Sequence, residues 1–414
     1  MKIFFRTIHL YLSLAAGLVI AIVCFTGAVL VFEKELEQGL HPERYFVTEA
    51  GPQRLSPEQL AQAVTNQVPK AKVTGLKLYA DPLRTAEVSL AGGPEGGQKE
   101  GGARTGGGEQ RRDGAAGKGE KGGKEGKGGK GGGEGGRGPT YFVNPYTGAV
   151  VGPYNYRDTF FFTMMALHRG MVGGPVGKWI VGTSTLLFLF IIVTGLVLWV
   201  PATGKVLKQR LAVKWDASWK RLNHDLHIVL GFYAALFLFV FAFTGLAWSF
   251  EWFNNGIFAV TSSDPKGPEA PKSTLALNGA KLGYDQAYTI AQQQVPGALS
   301  YAISLPKDSA EAVRVNTTSA NAAYEGATDE LYLDQYTGQP LGKLRFADRN
   351  LGQRVRRTFK PVHTGAIYGT PSKIVALIVC MLGVTFPVTG TIMWLNRQKK
   401  ERKKQRKQAV AKAA

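Results

Sequence analysis

The chain has 414 residues, of which 44% are hydrophobic, and its 50 Lys and Arg outnumber its 30 Asp and Glu to give a formal net charge of +20. No recognised nucleic-acid-binding fold accompanies this charge, so it does not indicate a nucleic-acid partner. Both Cys fall inside apolar runs and no Cys-x-x-Cys-His occurs, which excludes haem attached through that motif.

Four runs are apolar and long enough to cross a hydrocarbon core of about 30 Å. They cover residues 10–32, 179–200, 228–250 and 374–394. The first run could belong to a signal peptide, but it continues past the small residues at 26–28, which favours a retained helix. The sequence therefore predicts an integral membrane protein with a four-span α-helical bundle.

Basic residues predict the orientation of the bundle, because cytoplasmic flanks are rich in Lys and Arg. They crowd the tail after Trp394 and the short connection at 201–223. We therefore expect both termini in the cytoplasm and two domains on the outer, periplasmic, face of the membrane. The predicted segments in chain order are helix 1 (1–33), a periplasmic domain (34–165), an elbow with helix 2 (166–200), the cytoplasmic loop (201–223), helix 3 (224–251), a second periplasmic domain (252–360), an elbow with helix 4 (361–396) and a basic tail (397–414).

Both periplasmic domains have the pattern of small α+β units. Amphipathic helices are expected at 58–68 and 285–295, each ending at a Val-Pro pair, and strands are expected to enter the Tyr-Thr-Gly turns at 146–148 and 336–338. Residues 92–138 of the first domain are rich in Gly, Lys and Glu and almost lack apolar residues. This stretch is predicted to be a disordered insertion, either a solvated linker or a binder of anionic lipid or an acidic ligand.

A two-fold repeat relates the halves of the chain, and it is marked by His residues placed at fixed distances before Thr-Gly pairs. His9 precedes Thr26 by 17 positions, as His227 precedes Thr244. The same holds at a spacing of 26 for the pairs His168 with Thr194 and His363 with Thr389. Each of the four Thr is followed by Gly, which could allow close helix packing or leave room for a flat macrocycle.

The expected orientation places His9 and His227 together at the cytoplasmic face, and His168 and His363 together at the outer face. Ligating residues at membrane depth tend to face the bundle interior and serve a site. Haem iron accepts two axial imidazoles, so two b-type haems, one for each pair, are the leading interpretation. A proton relay, an ion site and purely structural contacts remain alternatives, whereas zinc usually takes four protein ligands.

Other residues near these histidines are weaker candidates. His224 lies one helical turn before His227 and is a second choice as a ligand. Basic side chains could bind haem propionates by charge-assisted hydrogen bonds. The candidates are Arg6 and Arg221 on the cytoplasmic side and Arg169, Lys178 and Lys373 on the outer side.

The chain resembles the PepSY-associated transmembrane proteins, iron-regulated inner-membrane proteins that include ferrisiderophore reductases. The resemblance covers nearly the whole chain and is most specific at 6–9, 166–169, 223–231 and 361–365, which contain the repeated His, and at the Tyr-Thr-Gly turns. It implies a location in a bacterial inner membrane and a haem cytochrome that passes electrons across that membrane to a ferric siderophore. The connection at 201–223 is too short for a flavin or nicotinamide domain, so quinol or a separate cytoplasmic reductase would be the donor.

Two other functional classes compete with this interpretation. A siderophore or metal permease would also show repeats and broken helices, and Pro387 in the fourth run offers one break. A regulatory protein whose PepSY modules bind peptides would need no redox centre.

Overall fold

The computed structural model describes residues 1–91, 138–274 and 280–413. Within them the first half contains α1 (Lys2–Leu30), α2 (Glu33–Leu40), α3 (Pro42–Tyr45), α4 (Pro57–Gln67), β1 (Val73–Tyr79), β2 (Ala86–Leu90), β3 (Thr140–Val143), β4 (Val150–Tyr154), α5 (Phe160–Gly170) and α6 (Gly174–Trp199). Helix α7 (Gly204–Leu211) follows. The second half contains α8 (Trp219–Ser249), α9 (Glu251–Val260), α10 (Tyr284–Gln294), β5 (Ser300–Ser304), β6 (Val313–Thr318), β7 (Thr328–Leu333), β8 (Pro340–Leu344), α11 (Leu351–His363) and α12 (Thr370–Ala413).

Helices α1, α6, α8 and α12 form a bundle and are long and apolar enough to cross a membrane, which confirms the prediction of four spans. Both α1 and α8 pack against α6 and α12, so α1 and α8 lie on one diagonal. A Cβ added to Gly383 would lie 2.6 Å from Cys24 Sγ, and one added to Gly17 would lie 3.3 Å from Pro387. The close approach of α1 to α12 therefore requires glycine, and α12 continues through Pro387 without a break.

The chain turns sharply between α5 and α6 and again between α11 and α12. Met171 and Val172 adopt positive φ angles of 51° and 58°, and Gly365 and Gly369 adopt 72° and 69°. A straight helix cannot pass through such residues. The break is therefore at the interval that follows each predicted elbow His, and α5 and α11 run back against the bundle, where α5 packs on α1 and α11 packs on α8.

The eight strands form one antiparallel sheet in the order β4-β3-β2-β1-β5-β6-β7-β8. The sequence predicts two modules, and the structure joins them through the β1–β5 pair, in which Leu76 lies opposite Ile303. Both side chains are buried in a core shared by the two modules. Pairing β1 with β5 satisfies backbone groups that would otherwise form two exposed sheet edges.

Helices α4 and α10 supply the rest of this core and meet at their N-terminal ends. The Glu58 carboxylate accepts a hydrogen bond from the Tyr284 backbone N–H at 3.0 Å, and the Asp285 carboxylate accepts one from the Glu58 backbone N–H at 2.7 Å. Negative side chains are favourable at helix N-termini. The two helices therefore cap each other reciprocally, with each cap supplied by the other module.

The Tyr-Thr-Gly turns have the same geometry in both modules. Asn144 and Asp334 open the two turns, and the side-chain oxygen of each accepts two backbone N–H groups at 2.9 to 3.1 Å. Gly148 and Gly338 both adopt a φ of 71°. The left-handed conformation explains the glycine of the motif.

The Gly- and Lys-rich insertion joins two neighbouring strands. The prediction of disorder covers residues 92–138, of which 92–137 lie outside the described part of the chain. Its ends are adjacent, since Leu90 N–H donates to the Pro139 carbonyl at 3.1 Å. The corresponding connection in the second half, between β6 and β7, covers only residues 319–327.

Replacing residues 92–137 by a short Gly-Ser turn should leave the sheet folded, because β2 and β3 already meet at the junction and loop length changes stability only slowly, by about 0.6 kcal/mol for each doubling. Thermal unfolding of the purified protein would check this. Leu76→Ala is the control, since removing this buried side chain should cost about 2–5 kcal/mol. A melting temperature that falls as far for the deletion as for Leu76→Ala would contradict the prediction.

Candidate functional site

Each of the four repeated His residues lies against a Thr-Gly pair on a neighbouring helix. His9 of α1 places Nδ1 3.0 Å from the Thr194 hydroxyl of α6. His227 of α8 makes the same contact at 2.9 Å with Thr389 of α12. These two His lie at the end of the bundle away from the sheet, and we call them the far pair.

The other two His residues lie at the opposite end of the bundle. His168, near the end of α5, places Nδ1 3.2 Å from the Thr26 hydroxyl of α1. His363, the last residue of α11, places Nδ1 3.0 Å from the Thr244 hydroxyl of α8. We call these the sheet-side pair, and we call each Thr-Gly pair with its His a cradle.

The hydrogen bonds fix the tautomer of the rings. Nδ1 of His9 also lies 3.0 Å from the Ile191 carbonyl, and those of His168 and His363 lie 3.0 and 2.9 Å from the carbonyls three residues before Thr26 and Thr244. A carbonyl oxygen can only accept, so Nδ1 carries the proton. The lone pair is therefore on Nε2, the state in which a neutral imidazole binds a metal.

Each threonine hydroxyl is oriented to accept a hydrogen bond from its His. Each donates its own proton to the backbone carbonyl four residues earlier in its helix, at 2.7 to 2.9 Å. A hydroxyl has one proton and two lone pairs. An oxygen that has donated to the helix therefore faces its His as an acceptor.

The glycines leave space for the edges of the rings. A Cβ added to Gly27, Gly195, Gly245 or Gly390 would lie 3.1 to 3.3 Å from the Cε1 atom of the His in its cradle. Such contacts are tighter than side chains normally make. The sequence suggests that these glycines serve helix packing or a macrocycle, and the structure places the His ring against them.

Residues from the two halves of the chain meet in each pair. The rings of His168 and His363 are 5.9 Å apart between centroids, with an angle of 67° between their planes. His9 and His227 are close enough to interact electrostatically. The two rings of the sheet-side pair are therefore direct neighbours in an edge-to-face arrangement.

Each of the two pairs contains two imidazole rings. Among the described residues no group of three or more His, Cys, Asp or Glu is placed to hold a metal ion. A metal bound at either pair would therefore take its remaining ligands from water or from a cofactor. Haem iron meets this condition, because its macrocycle supplies the other ligands.

Comparison with known families agrees with this architecture. A family model described as the PepSY-associated TM region matches residues 6–397, a range that includes the four cradles and the whole sheet. The chain belongs to this PepSY-associated family. No curated protein matches the chain closely enough to count as a relative.

His224 of this PepSY-associated protein lies differently from the cradle histidines. Its Nδ1 is 3.2 Å from the Asp225 carboxylate, and 43% of its side chain is exposed. Asp225 is buried and forms an ion pair with Arg221 at 2.8 Å. His224 and Arg221 therefore both contact the Asp225 carboxylate, whereas the far-pair rings contact Thr hydroxyls. Asn223 supports the far pair instead, donating to the Thr389 carbonyl at 3.1 Å.

The remaining basic candidates occupy varied positions. Arg6, Arg169 and Lys178 are exposed, and Arg169 is near enough to His168 to interact electrostatically. Lys373 forms an ion pair with Glu35 at 2.6 Å. Its charge is therefore matched within the protein.

Two tryptophans that the sequence interpretation did not assign to the site lie beside His363 and one helical turn after the glycine of the His9 cradle. The Trp248 ring is 5.5 Å from the ring of His363. Trp199, four residues after Gly195, stacks on Phe232, and its buried Nε1 has no hydrogen-bond partner within the described residues. A buried N–H without a partner is costly, and this donor would suit an acceptor bound near the far pair. The sequence repeat marks Trp199, because Trp394 occupies the equivalent position in the second half.

Replacing Gly245 by Val should destabilise this PepSY-associated protein, because the added side chain must displace the His363 ring, and overpacking typically costs about 1–3 kcal/mol. Gly256→Val is the matched control, since a Cβ there meets nothing within 4 Å. Thermal unfolding in detergent would compare them. Equal melting temperatures for the two variants would show that the cradle is not tightly packed.

Proposed function

We propose that this protein is a di-haem b-type cytochrome of the bacterial inner membrane that passes electrons to a ferric siderophore on the sheet side. The observation that carries the proposal is the placement of one His pair at each end of the bundle. His9, His227, His168 and His363 would be the axial ligands. Bound haem would supply one-electron redox chemistry at each pair.

The cradles support this proposal through what they do to the rings. A hydrogen bond from Nδ1 orients a metal-binding imidazole, fixes its tautomer and increases its basicity, and loss of such a partner commonly reduces metal affinity 10–100-fold. Here four Thr hydroxyls perform that role with the same geometry. A proton relay would not need four rings whose protonation is fixed in the same way.

The distance between the pairs supports a transmembrane role. Along α1, His9 belongs to the far pair and Thr26 holds His168 of the sheet-side pair. Seventeen residues of helix rise about 25 Å, close to the thickness of a hydrocarbon core. A redox group at each pair would place one near each membrane face.

The orientation follows from charge. Basic residues in the connection containing α7 and in the part of α12 after Trp394 favour the cytoplasm for the far end. The far pair would then receive electrons from quinol or a cytoplasmic reductase. The sheet would lie in the periplasm, above the sheet-side pair.

The acceptor is a substrate whose chemistry changes on reduction. Hydroxamate or catecholate oxygens are hard ligands, and their hold weakens when the metal charge falls. One electron delivered to Fe(III) gives Fe(II), which leaves the chelator more readily. The sheet-side site would therefore release iron from its carrier.

Purified protein should show the absorption bands of reduced b-type haem, and Ala in place of any one of the four cradle His should remove about half of the haem, because each site needs both axial imidazoles. His41→Ala is the control, since His41 lies in a loop beside Glu43. Haem would be measured per protein from the reduced spectrum. Absence of haem from the unmodified protein would falsify the cytochrome proposal and leave the permease and the peptide-binding regulator.

Reduced protein should be reoxidised by a ferric siderophore. The experiment is to reduce with dithionite, remove the excess anaerobically, add the ferric complex and follow both the haem spectrum and capture of Fe(II) by a ferrous chelator. The gallium complex of the same siderophore is the control, because it cannot accept an electron at this potential. Haem that stays reduced with every ferric complex tried would retain the cytochrome and exclude this acceptor.

A further inference from the structure

Arg356 is a basic residue of α11 that lies beside the sheet-side pair. It precedes His363 by seven residues, two helical turns, so both side chains project from the same side of the helix. Its Nε donates to the Asn254 side-chain oxygen at 2.6 Å, and its guanidinium lies 4.7 Å from the centroid of the Trp248 ring. Residues of α8, α9 and α11 therefore hold the guanidinium in one place.

Trp248 links Arg356 to the His pair. One ring contact joins Trp248 to His363, at 5.5 Å between centroids, and the cation–π contact joins it to Arg356. Trp248 is part of a bundle helix, so its ring position is set by the packing of α8. The Trp248 ring therefore contacts both the positively charged group of Arg356 and the ring of His363, a candidate metal ligand.

The charge of Arg356 is not matched by any carboxylate contact within the described residues. Burial lowers the pKa of Arg356, and no opposing carboxylate offsets this effect. Its neighbours differ, since Arg349 and Arg357 lie 2.6 and 3.6 Å from the Glu330 carboxylate. Partial burial of a guanidinium costs solvation free energy, and a nearby anion offsets that cost.

The repeat shows that this arrangement is specific to the second half. The position seven residues before His168 is occupied by Phe161, a buried apolar residue. The two His of the sheet-side pair therefore have different surroundings, because only α11 carries a guanidinium at the position seven residues before its His.

We propose that Arg356 binds a propionate carboxylate of the haem held by His168 and His363, an inference that rests on the proposed cytochrome function. With Nε bonded to Asn254, the two Nη groups remain to donate to a carboxylate. The positive charge favours addition of an electron to the nearby iron. Arg356 is thus a residue that raises the reduction potential of the sheet-side haem relative to the far one.

The test compares Arg356→Gln with Arg354→Gln in the full-length haem-loaded protein. Arg354 is on the same helix but exposed, which makes it a matched control. Spectroelectrochemical titration would give the potentials of both haems. In Arg356→Gln, the reduction potential of one haem should fall by about 59 mV, which is a tenfold change in a one-electron reduction equilibrium. The potential of the other haem, and both potentials in Arg354→Gln, should stay unchanged. Arg356→Lys should restore most of the shift, because the charge remains.

The outcomes separate the two proposals. Haem-free wild-type protein overturns both. Two haems in the wild type with unchanged potentials in Arg356→Gln overturn only the role of Arg356, as does an equal shift of both haems. If Arg356→Gln does not fold, Arg356→Met keeps the apolar stem against Trp248, and its potentials decide in the same way.

Discussion

The hydrogen bond from a His ring to a Thr hydroxyl on a neighbouring helix is the interaction on which the bundle depends. In an apolar interior a polar ring must find a partner, because hydrocarbon offers none. Such bonds between membrane helices contribute about 1–2 kcal/mol at most, yet each also fixes the rotation and depth of both helices. Two of them join α1 to α6 and α8 to α12 at the far end, and two join α5 to α1 and α11 to α8 at the sheet side.

Within each half, two His–Thr hydrogen bonds join the first bundle helix to the helices that follow it in the chain. Helix α1 gives His9 to α6 at the far end and receives His168 from α5 at the sheet side. Since an elbow leads directly from α5 into α6, the two bonds hold one helix against one continuous segment at both ends. The halves then meet through the packing of α1 on α12 and of α6 on α8, through the His pairs and through the strand pair β1–β5. The membrane bundle and the sheet domain thus share a single arrangement, in which each half has its own internal contacts and the two halves pair with each other.

Features set by local patterns could be predicted from the sequence, and those set by surface complementarity could not. The spans follow from apolar runs, and the helices before Val68 and Val295 end within one residue of their expected positions. The His residues were found because the repeat preserves their spacing. However, the spacing within one helix does not reveal that Thr26 serves His168, because that contact joins distant parts of the chain. Trp248 and Arg356 lack any repeat signal, since the first half has no equivalent.

The pairing of β1 with β5 relates the two halves of the chain as the protomers of a dimer are related. Leu76 and Ile303, each nine residues beyond the end of α4 or α10, lie opposite each other, and Glu58 and Asp285 exchange caps. Equivalent surfaces that contact each other are the mark of an isologous two-fold dimer. The fold is that of such a dimer made from one chain. A true homodimer must carry every residue twice, whereas this covalent version is free to place a guanidinium, a buried Asn223 or a long insertion in one half alone, and so to make its two ends and two sides chemically unequal.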